Sequence, residues 1–360
     1  MLLNKHNVEH CPSLDIGYDN DGHALKLRID KLTFVSRLTS DKEKAVYEQL
    51  ELIASKKWKS YRVQWHYAKC KEGEKVKPYR KALMVWGKAA GSPMLLRIDY
   101  DPINRNTGGI RFDLRPQHLE AAELNHLFAW LGKQIGECFP RLLARAWITQ
   151  VDVALDIYGC QLDDYIWGLR RASKTKHYDI RDGLPGIRIG SVHSPLHVLC
   201  YEKVDAVGQT KRIFKCEGDL LELALDQYPR FLRVEMRFKP LAKPTHTIGK
   251  ALMLANLKRM KNPFERLQVY SKSLESVLLM EKLIKTRRKL KTYIAYLRQI
   301  NRNQSTVRIA KKIDVLIKES EIVLFDKQAV WKHWAACVAR LGSKIIPLEA
   351  ELPKNKRNSL

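Results

Sequence analysis

The sequence lacks several patterns that would assign it to common protein classes. Its longest apolar runs fall well short of the roughly 18 residues that a membrane-spanning helix needs, and residues 1–15 contain no signal-peptide core. The seven cysteines form no C-x-x-C pair, and the eleven histidines form no H-x-H or H-E-x-x-H motif. We therefore expect a cytoplasmic protein with reduced thiols, no membrane partner and no zinc site.

Acidic residues are also scarce relative to basic ones. The 360 residues include 65 Lys and Arg against 39 Asp and Glu, which gives a formal net charge of +26. Clustered cations gain free energy by displacing counterions from phosphates, so nucleic acid is the leading candidate partner and a membrane surface the competing one. With 45 % hydrophobic residues, the chain can bury a sizeable core in two domains, or in one domain with a large appendage.

Strand and helix patterns alternate up to about residue 240. Helical spacing occurs at 41–56, 118–136 and 163–174. Alternating or continuous apolar patterns predict strands at 23–35, 82–87, 93–102, 108–116, 148–159, 187–191, 195–203 and 231–240. We predict an α+β fold for residues 1–243, with a central antiparallel or mixed sheet and packed helices.

The chain after residue 243 has a different character. Its apolar residues recur at helical rather than alternating spacing, which predicts a basic, all-helical region over residues 244–360. Its strongest basic run, KLIKTRRKLK at 282–291, contains four candidate phosphate contacts: Lys285, Arg287, Arg288 and Lys289. We expect this region to bind DNA or to serve as an accessory segment.

Two aspartates interrupt the apolar strand ITQVDVALDIYG at 148–159. In an extended strand Asp152 and Asp156 share one face, but their Cα atoms are about 13 Å apart, too far to chelate one ion together. The strand at 231–240 presents Glu235 on its polar face, and the strand at 195–203 presents Tyr201 and Lys203. Pairing these strands brings Asp152 and Glu235 together, with Asp156 as a further metal candidate or a structural group.

Such a sheet has a definite chemical use. Carboxylates favour a hard cation such as Mg²⁺ or Mn²⁺, which neutralises charge on a phosphodiester. The Tyr201 oxygen then attacks the phosphorus, and Lys203 stabilises the developing negative charge.

The order ITQVDVALD, IRIGSVHSPLHVLCYEK, LRVEMRFK resembles the rolling-circle replication initiators of plasmids and filamentous phages, including the gene II class. That family carries, in this order, a RIDxAxD strand, a YxGSxxS segment ending in an IYDK-like strand, and an RxE strand. The resemblance covers roughly residues 25–240. It implies a metal-dependent enzyme that nicks one strand of supercoiled DNA at an origin, becomes attached to the 5′ phosphate through tyrosine, and later rejoins the strand.

Matched by position, Asp152 corresponds to the first aspartate of the family, Glu235 to its glutamate, and Tyr201 and Lys203 to the Y-x-K pair. Two departures leave alternatives open. Gln150 stands where the family has arginine, and Tyr178 lies upstream of the Gly-Ser segment, where some relatives carry their nucleophile. Tyr201 is therefore the preferred nucleophile and Tyr178 the alternative, with His197 as a further possible metal ligand.

The resemblance also implies partners. These are origin DNA as supercoiled duplex and single strand, a host helicase and polymerase in a bacterial cytoplasm, and a possible homodimer. The expected DNA contacts outside the C-terminal run are Arg188, Gly190, Ser191, Arg233 and Arg237. Two other functions fit the same charge: a non-catalytic DNA-binding repressor or structural protein, and a metal-dependent nuclease that uses water.

Overall fold

The computed structural model describes residues 2–4, 8–9, 13–67, 78–89, 92–172, 174–178, 184–206, 220–241, 251–275 and 315–346. The strands are β1 (Leu2–Asn4), β2 (Val8–Glu9), β3 (Leu14–Tyr18), β4 (Ala24–Ser36), β5 (Tyr61–Tyr67), β6 (Tyr79–Gly87), β7 (Met94–Pro102), β8 (Ile110–Leu114), β9 (Trp147–Tyr158), β10 (Tyr165–Leu169), β11 (Thr175–Tyr178), β12 (Gly186–Ile189), β13 (Leu196–Asp205), β14 (Leu220–Glu222), β15 (Arg230–Phe238) and β16 (Leu267–Ser271). The α-helices are α1 (Ser40–Ser55), α2 (Ala121–Ile135), α3 (Cys138–Ala144), α4 (Lys327–Lys332) and α5 (Trp334–Ala339).

A twelve-stranded sheet forms the centre of the molecule and confirms the predicted α+β class. Its main path runs β11-β12-β13-β15-β9-β4-β8-β7-β6-β5, and every neighbouring pair on that path is antiparallel. The short strand β2 adds a parallel pair with β13, and β3 pairs with β4. The three strands that carry the predicted site, β13, β15 and β9, are therefore adjacent and internal.

The two faces of this sheet differ in chemistry. Val151, Val153 and Leu155 of β9 are fully buried on one face, within the main hydrophobic cluster. Helices pack on the same face, as in the ring contact between Phe139 of α3 and Phe112 of β8, with centroids 6.3 Å apart. The alternate residues of β9, β15 and β13 point to the opposite face, and most of them are charged or polar, as the period of two along a strand implies.

Residues 163–174 correct the helical prediction made for them. Only Leu162–Asp164 forms a short 3₁₀ turn, and Tyr165–Leu169 is the strand β10, paired antiparallel with β16. Strand β16 lies in the C-terminal region, so that region is not all-helical either. Trp167 and Val269, which face each other across this pair, are both buried. Pairing between segments about a hundred residues apart overrides the local spacing that favours a helix.

The described C-terminal residues pack on the same core as the rest of the chain. Helices α4 and α5 confirm the helical prediction there, whereas Leu254–Arg259 is a 3₁₀ helix. Phe264 and Trp334 belong to the same hydrophobic cluster as β9, and the division of the chain at residues 243 and 244 stays a prediction. The basic run at 282–291, with Lys285, Arg287, Arg288 and Lys289, lies outside the described residues. No helix in the described ranges has the length and apolarity to cross a membrane.

Candidate active site

The register of three strands brings the predicted site residues together. Tyr201 of β13 lies opposite Arg233 of β15, which lies opposite Asp156 of β9. Two residues further along β15, Glu235 lies opposite Ala154 of β9. Two residues beyond Glu235, Arg237 lies opposite Asp152. Glu235 and Asp152 are therefore diagonal neighbours on the polar face, at a separation of about 7–8 Å between Cα atoms.

Glu235 is the centre of a hydrogen-bonded group. The Tyr201 hydroxyl donates to Glu235 Oε2 at 2.7 Å, and Arg237 Nε donates to Glu235 Oε1. Burial is the largest single influence and raises the pKa of this carboxyl, but the charge of Arg237 and the two hydrogen bonds together outweigh it and leave the pKa lowered. Glu235 is thus ionised and is an acceptor in contact with a phenol.

Asp152 has the opposite electrostatic character. Its side chain is 2 % exposed, and the Gln150 amide donates to both of its oxygens at 2.9 Å. Arg237 Nε lies 3.5 Å from Asp152 Oδ2. Burial, followed by the charge of Glu235, raises the pKa of Asp152 to about 8. Gln150, the departure from the family pattern, therefore holds Asp152 in place.

Asp156 belongs to a buried ion cluster. Arg233 donates to its two oxygens at 2.7 and 2.9 Å, and Arg28 Nη2 approaches Asp156 Oδ2 at 2.6 Å. Arg233 also donates to Asp30 at 3.0 Å and is fully buried. The predicted DNA contact at Arg233 is thus corrected, because its guanidinium faces buried carboxylates and not solvent. The sequence pattern does not indicate this role for Arg28, because Arg28 is on β4 and lies far from Asp156 along the chain.

The remaining catalytic candidates are Lys203 and Tyr178. Lys203 Nζ lies 5.6 Å from the centre of that ring. Gly186 lies between Tyr201 and Tyr178 in the strand register, and the Tyr178 oxygen accepts a hydrogen bond from Arg188 at 3.0 Å. Both tyrosines are on the polar face, but the described contacts join only Tyr201 to a site carboxylate.

The Gly-Ser segment, Gly190 and Ser191, lies in the turn that connects β12 to β13. Gly190 has a φ of +99°, and a Cβ there would approach His197 Cβ to 3.0 Å, so the turn requires glycine. Its N–H donates to the Lys174 carbonyl at 2.7 Å, which removes it as a phosphate donor, while the Ser191 hydroxyl accepts from the N–H of His193. His197, missing from the principal predicted set, is buried with no hydrogen-bond partner for Nδ1 in the described structure.

His197 is held neutral by its surroundings. Burial, followed by the positive charges of Lys239, Arg237 and Arg188, lowers its pKa to about 4. A neutral imidazole with a free ring nitrogen can accept a hydrogen bond or bind a cation.

The donor set suits a cation that needs few protein ligands. Across the described ranges, no three His, Cys, Asp or Glu side chains converge closely enough to enclose a metal ion. Mg²⁺ usually takes one or two carboxylates and fills its other positions with water and substrate phosphate. Asp152 and Glu235 are the two carboxylates of this group that could hold such an ion, and burial, followed by the charge of Glu235, raises the pKa of Asp152.

Comparisons with known proteins give a similarity among solved structures only. No family model matches the chain, and no curated protein matches it. Among solved structures, the chain is similar to the rolling circle replication initiator protein from Geobacillus stearothermophilus, at 16 % identity over 60 % of this chain and 74 % of that chain, with a TM-score of 0.31.

Proposed function

We propose that this protein initiates rolling-circle replication by nicking one DNA strand at an origin. The observation that carries the proposal is the 2.7 Å hydrogen bond from the Tyr201 hydroxyl to Glu235, with Asp152 beside it on the same face. A phenol whose proton a neighbouring carboxylate can accept is an activated nucleophile, and the second carboxylate can help to hold a divalent cation.

The reaction proceeds by exchange of one phosphodiester for another. The Tyr201 oxygen forms a bond to phosphorus as the bond from phosphorus to the 3′ oxygen breaks, and the phenolic proton passes toward Glu235. The leaving 3′ oxygen takes a proton from water, and the products are a 5′-phosphotyrosine and a 3′-hydroxyl that a host polymerase extends. Attack by a 3′-hydroxyl on the phosphotyrosine reverses the step and rejoins the strand.

Mg²⁺ or Mn²⁺ held by Asp152 and Glu235 would supply charge neutralisation on the non-bridging phosphate oxygens. Gln150 orients Asp152 through its amide, and Arg237 contacts both carboxylates from the more exposed side of the group. Lys203, near the Tyr201 ring, stabilises the phenolate. Arg188 and Arg237, both partly exposed, then contact the DNA backbone beside the scissile phosphate.

The experiment that tests this function incubates the full chain with supercoiled DNA of its own replicon, with Mn²⁺, with Mg²⁺ or with a chelator. We expect open circles and protein-linked DNA on a denaturing gel with either metal, and intact supercoils with the chelator. The matched control for Tyr201→Phe is Tyr158→Phe, because the Tyr158 hydroxyl also donates to a carboxylate, that of Asp205, at 2.8 Å. This variant is expected to nick normally.

The other outcomes identify the other functions. Binding that leaves the DNA intact with every metal indicates a repressor or structural protein. Metal-dependent nicks that carry no protein indicate a nuclease that activates water. Either result contradicts transesterification by Tyr201.

A further inference from the structure

A cationic cleft lies where β4 ends and α1 begins, against α3. Four basic side chains line it, one after β4, one on α1, one on α3 and one just after α3: Arg37, Lys42, Arg141 and Arg145. The rest of the lining is Leu38, Thr39, Cys138 and Leu142, around a space of ≈ 70 Å³. None of these eight residues is acidic.

The four cations are exposed and have no ion-pair partner in the described part of the chain. Glu43, next to Lys42 in the sequence, accepts a hydrogen bond from the Tyr47 hydroxyl at 2.8 Å. The open polar face behaves differently, because Arg97 and Arg111 there both contact Asp99. Glu137 lines a neighbouring space together with Lys42 and Arg141 but forms no ion pair with either in the described part of the chain. The four like charges repel one another, and an anion in the cleft reduces that cost.

The cleft is separate from the carboxylate and tyrosine group. Lys31 of β4 lies opposite Asp152, and Arg37 follows six residues later, about 20 Å further along the strand direction. Helices α1 and α3, which form the cleft, also pack on the apolar face of the sheet, away from the polar face that carries Asp152. A ligand in the cleft therefore does not touch the reacting atoms.

We propose that this cleft binds backbone phosphates of the DNA duplex that flanks the cleavage position. The inference depends on the proposed function for its substrate, and the net charge of +26 supports a polyanion over a single small anion. Exposed, flexible Arg and Lys side chains from three elements suit phosphates along a backbone and do not read bases. The cleft thus adds affinity and register, independent of sequence.

The test measures binding of a fluorescent duplex from the replicon by anisotropy, in chelator, over a series of salt concentrations. The cleft variant is Arg141→Ala with Arg145→Ala. The control is Lys133→Ala with Lys258→Ala, which removes the same charge from exposed positions elsewhere. The logarithm of the binding constant falls with the logarithm of the salt concentration. We expect this slope to become shallower by about 2 in the cleft variant, close to one per lost phosphate contact, and to stay near the wild-type value in the control.

If both double variants keep the slope and affinity of the wild type, the proposal is overturned and an acidic protein segment becomes the candidate occupant of the cleft. If both variants lose affinity equally, the proposal is also overturned, because the change in total charge then explains the loss. Circular dichroism and a thermal melt establish that each variant is folded. The assay requires no cleavage, so its failure is distinct from an absence of protein-linked DNA in the nicking experiment.

Discussion

Tyr178 and Tyr201 lie on either side of Gly186, in one row that crosses three neighbouring strands. Gly186 pairs with Tyr201 on β13 and with Tyr178 on β11, so both phenols are on the polar face of the sheet. Their contacts separate them, because Tyr201 donates to Glu235 while Tyr178 accepts from Arg188. This difference supports Tyr201 over Tyr178 as the proposed nucleophile.

The glycine in this row provides a test of how closely Tyr201 must be positioned. A Cβ at position 186 would meet Tyr201 Cβ at 2.9 Å, so Gly186→Ala must displace the ring. We expect formation of protein-linked DNA to slow by at least about tenfold, because small misplacements of a reacting group are costly. The rate of adduct formation in single-turnover reactions measures this.

Gly168→Ala is the matched control for that variant. Gly168 is also a strand glycine, and a Cβ there would meet a tyrosine ring, at 3.0 Å from Tyr270 Cε2, away from the site. We expect a similar small loss of stability and an unchanged rate. Equal rates for the two variants would show that the position of Tyr201 does not limit the reaction.

Asp156 is predicted to stabilise the fold. Asp156→Ala removes a buried carboxylate that Arg233 and Arg28 both contact, and we expect a loss of about 3–5 kcal/mol in the free energy of unfolding. Urea denaturation followed by tryptophan fluorescence measures it. The control is Asp15→Ala, whose carboxylate is 81 % exposed and 3.7 Å from Lys26, with an expected change below about 0.5 kcal/mol. Comparable small changes in both variants contradict a structural role for Asp156.

The raised pKa of Asp152 predicts that this residue, which the proposed reaction uses, lowers the stability of the fold when it is ionised. Because its folded pKa of about 8 exceeds the ordinary value of 3.8, the folded chain holds a proton that the unfolded chain releases between these values. The contribution of Asp152 to the free energy of unfolding therefore falls as the pH rises from 4 to 8 and levels off above 8.

The variant that tests this is Asp152→Asn, which removes the titration. We expect it to be more stable than the wild type by roughly 1–2 kcal/mol at pH 8, with an advantage that shrinks toward pH 4, and to form no adduct. Urea denaturation at several pH values gives the difference. An advantage that grows as the pH falls has the wrong sign for this account.

Local pattern was sufficient to predict the faces of the site strands. Alternation along β9, β13 and β15 assigns Asp152, Tyr201 and Glu235 to polar faces, and their adjacency in one sheet follows the antiparallel register. The local apolar pattern also predicts strands at 82–87, 93–102 and 108–116, and the structure confirms them as β6, β7 and β8.

Non-local contacts account for what the sequence could not predict. The strand β10 has a helical pattern but pairs with β16, a segment far away in the chain. The burial of Arg233 depends on Asp156 opposite it and on Asp30 from β4, and no spacing within β15 indicates either partner. The lowered pKa of His197 likewise depends on burial and then on Lys239, Arg237 and Arg188, which lie on or next to the neighbouring strands β15 and β12.

The most direct test of the central claim is to identify the tyrosine that becomes linked to DNA. Wild type, Tyr201→Phe and Tyr178→Phe are each incubated with labelled replicon DNA and Mn²⁺, and the denatured protein is examined for covalent label. We predict label on the wild type and on Tyr178→Phe, and none on Tyr201→Phe. Label that persists on Tyr201→Phe, or that disappears only from Tyr178→Phe, would contradict the assignment of Tyr201 beside Glu235 as the nucleophile.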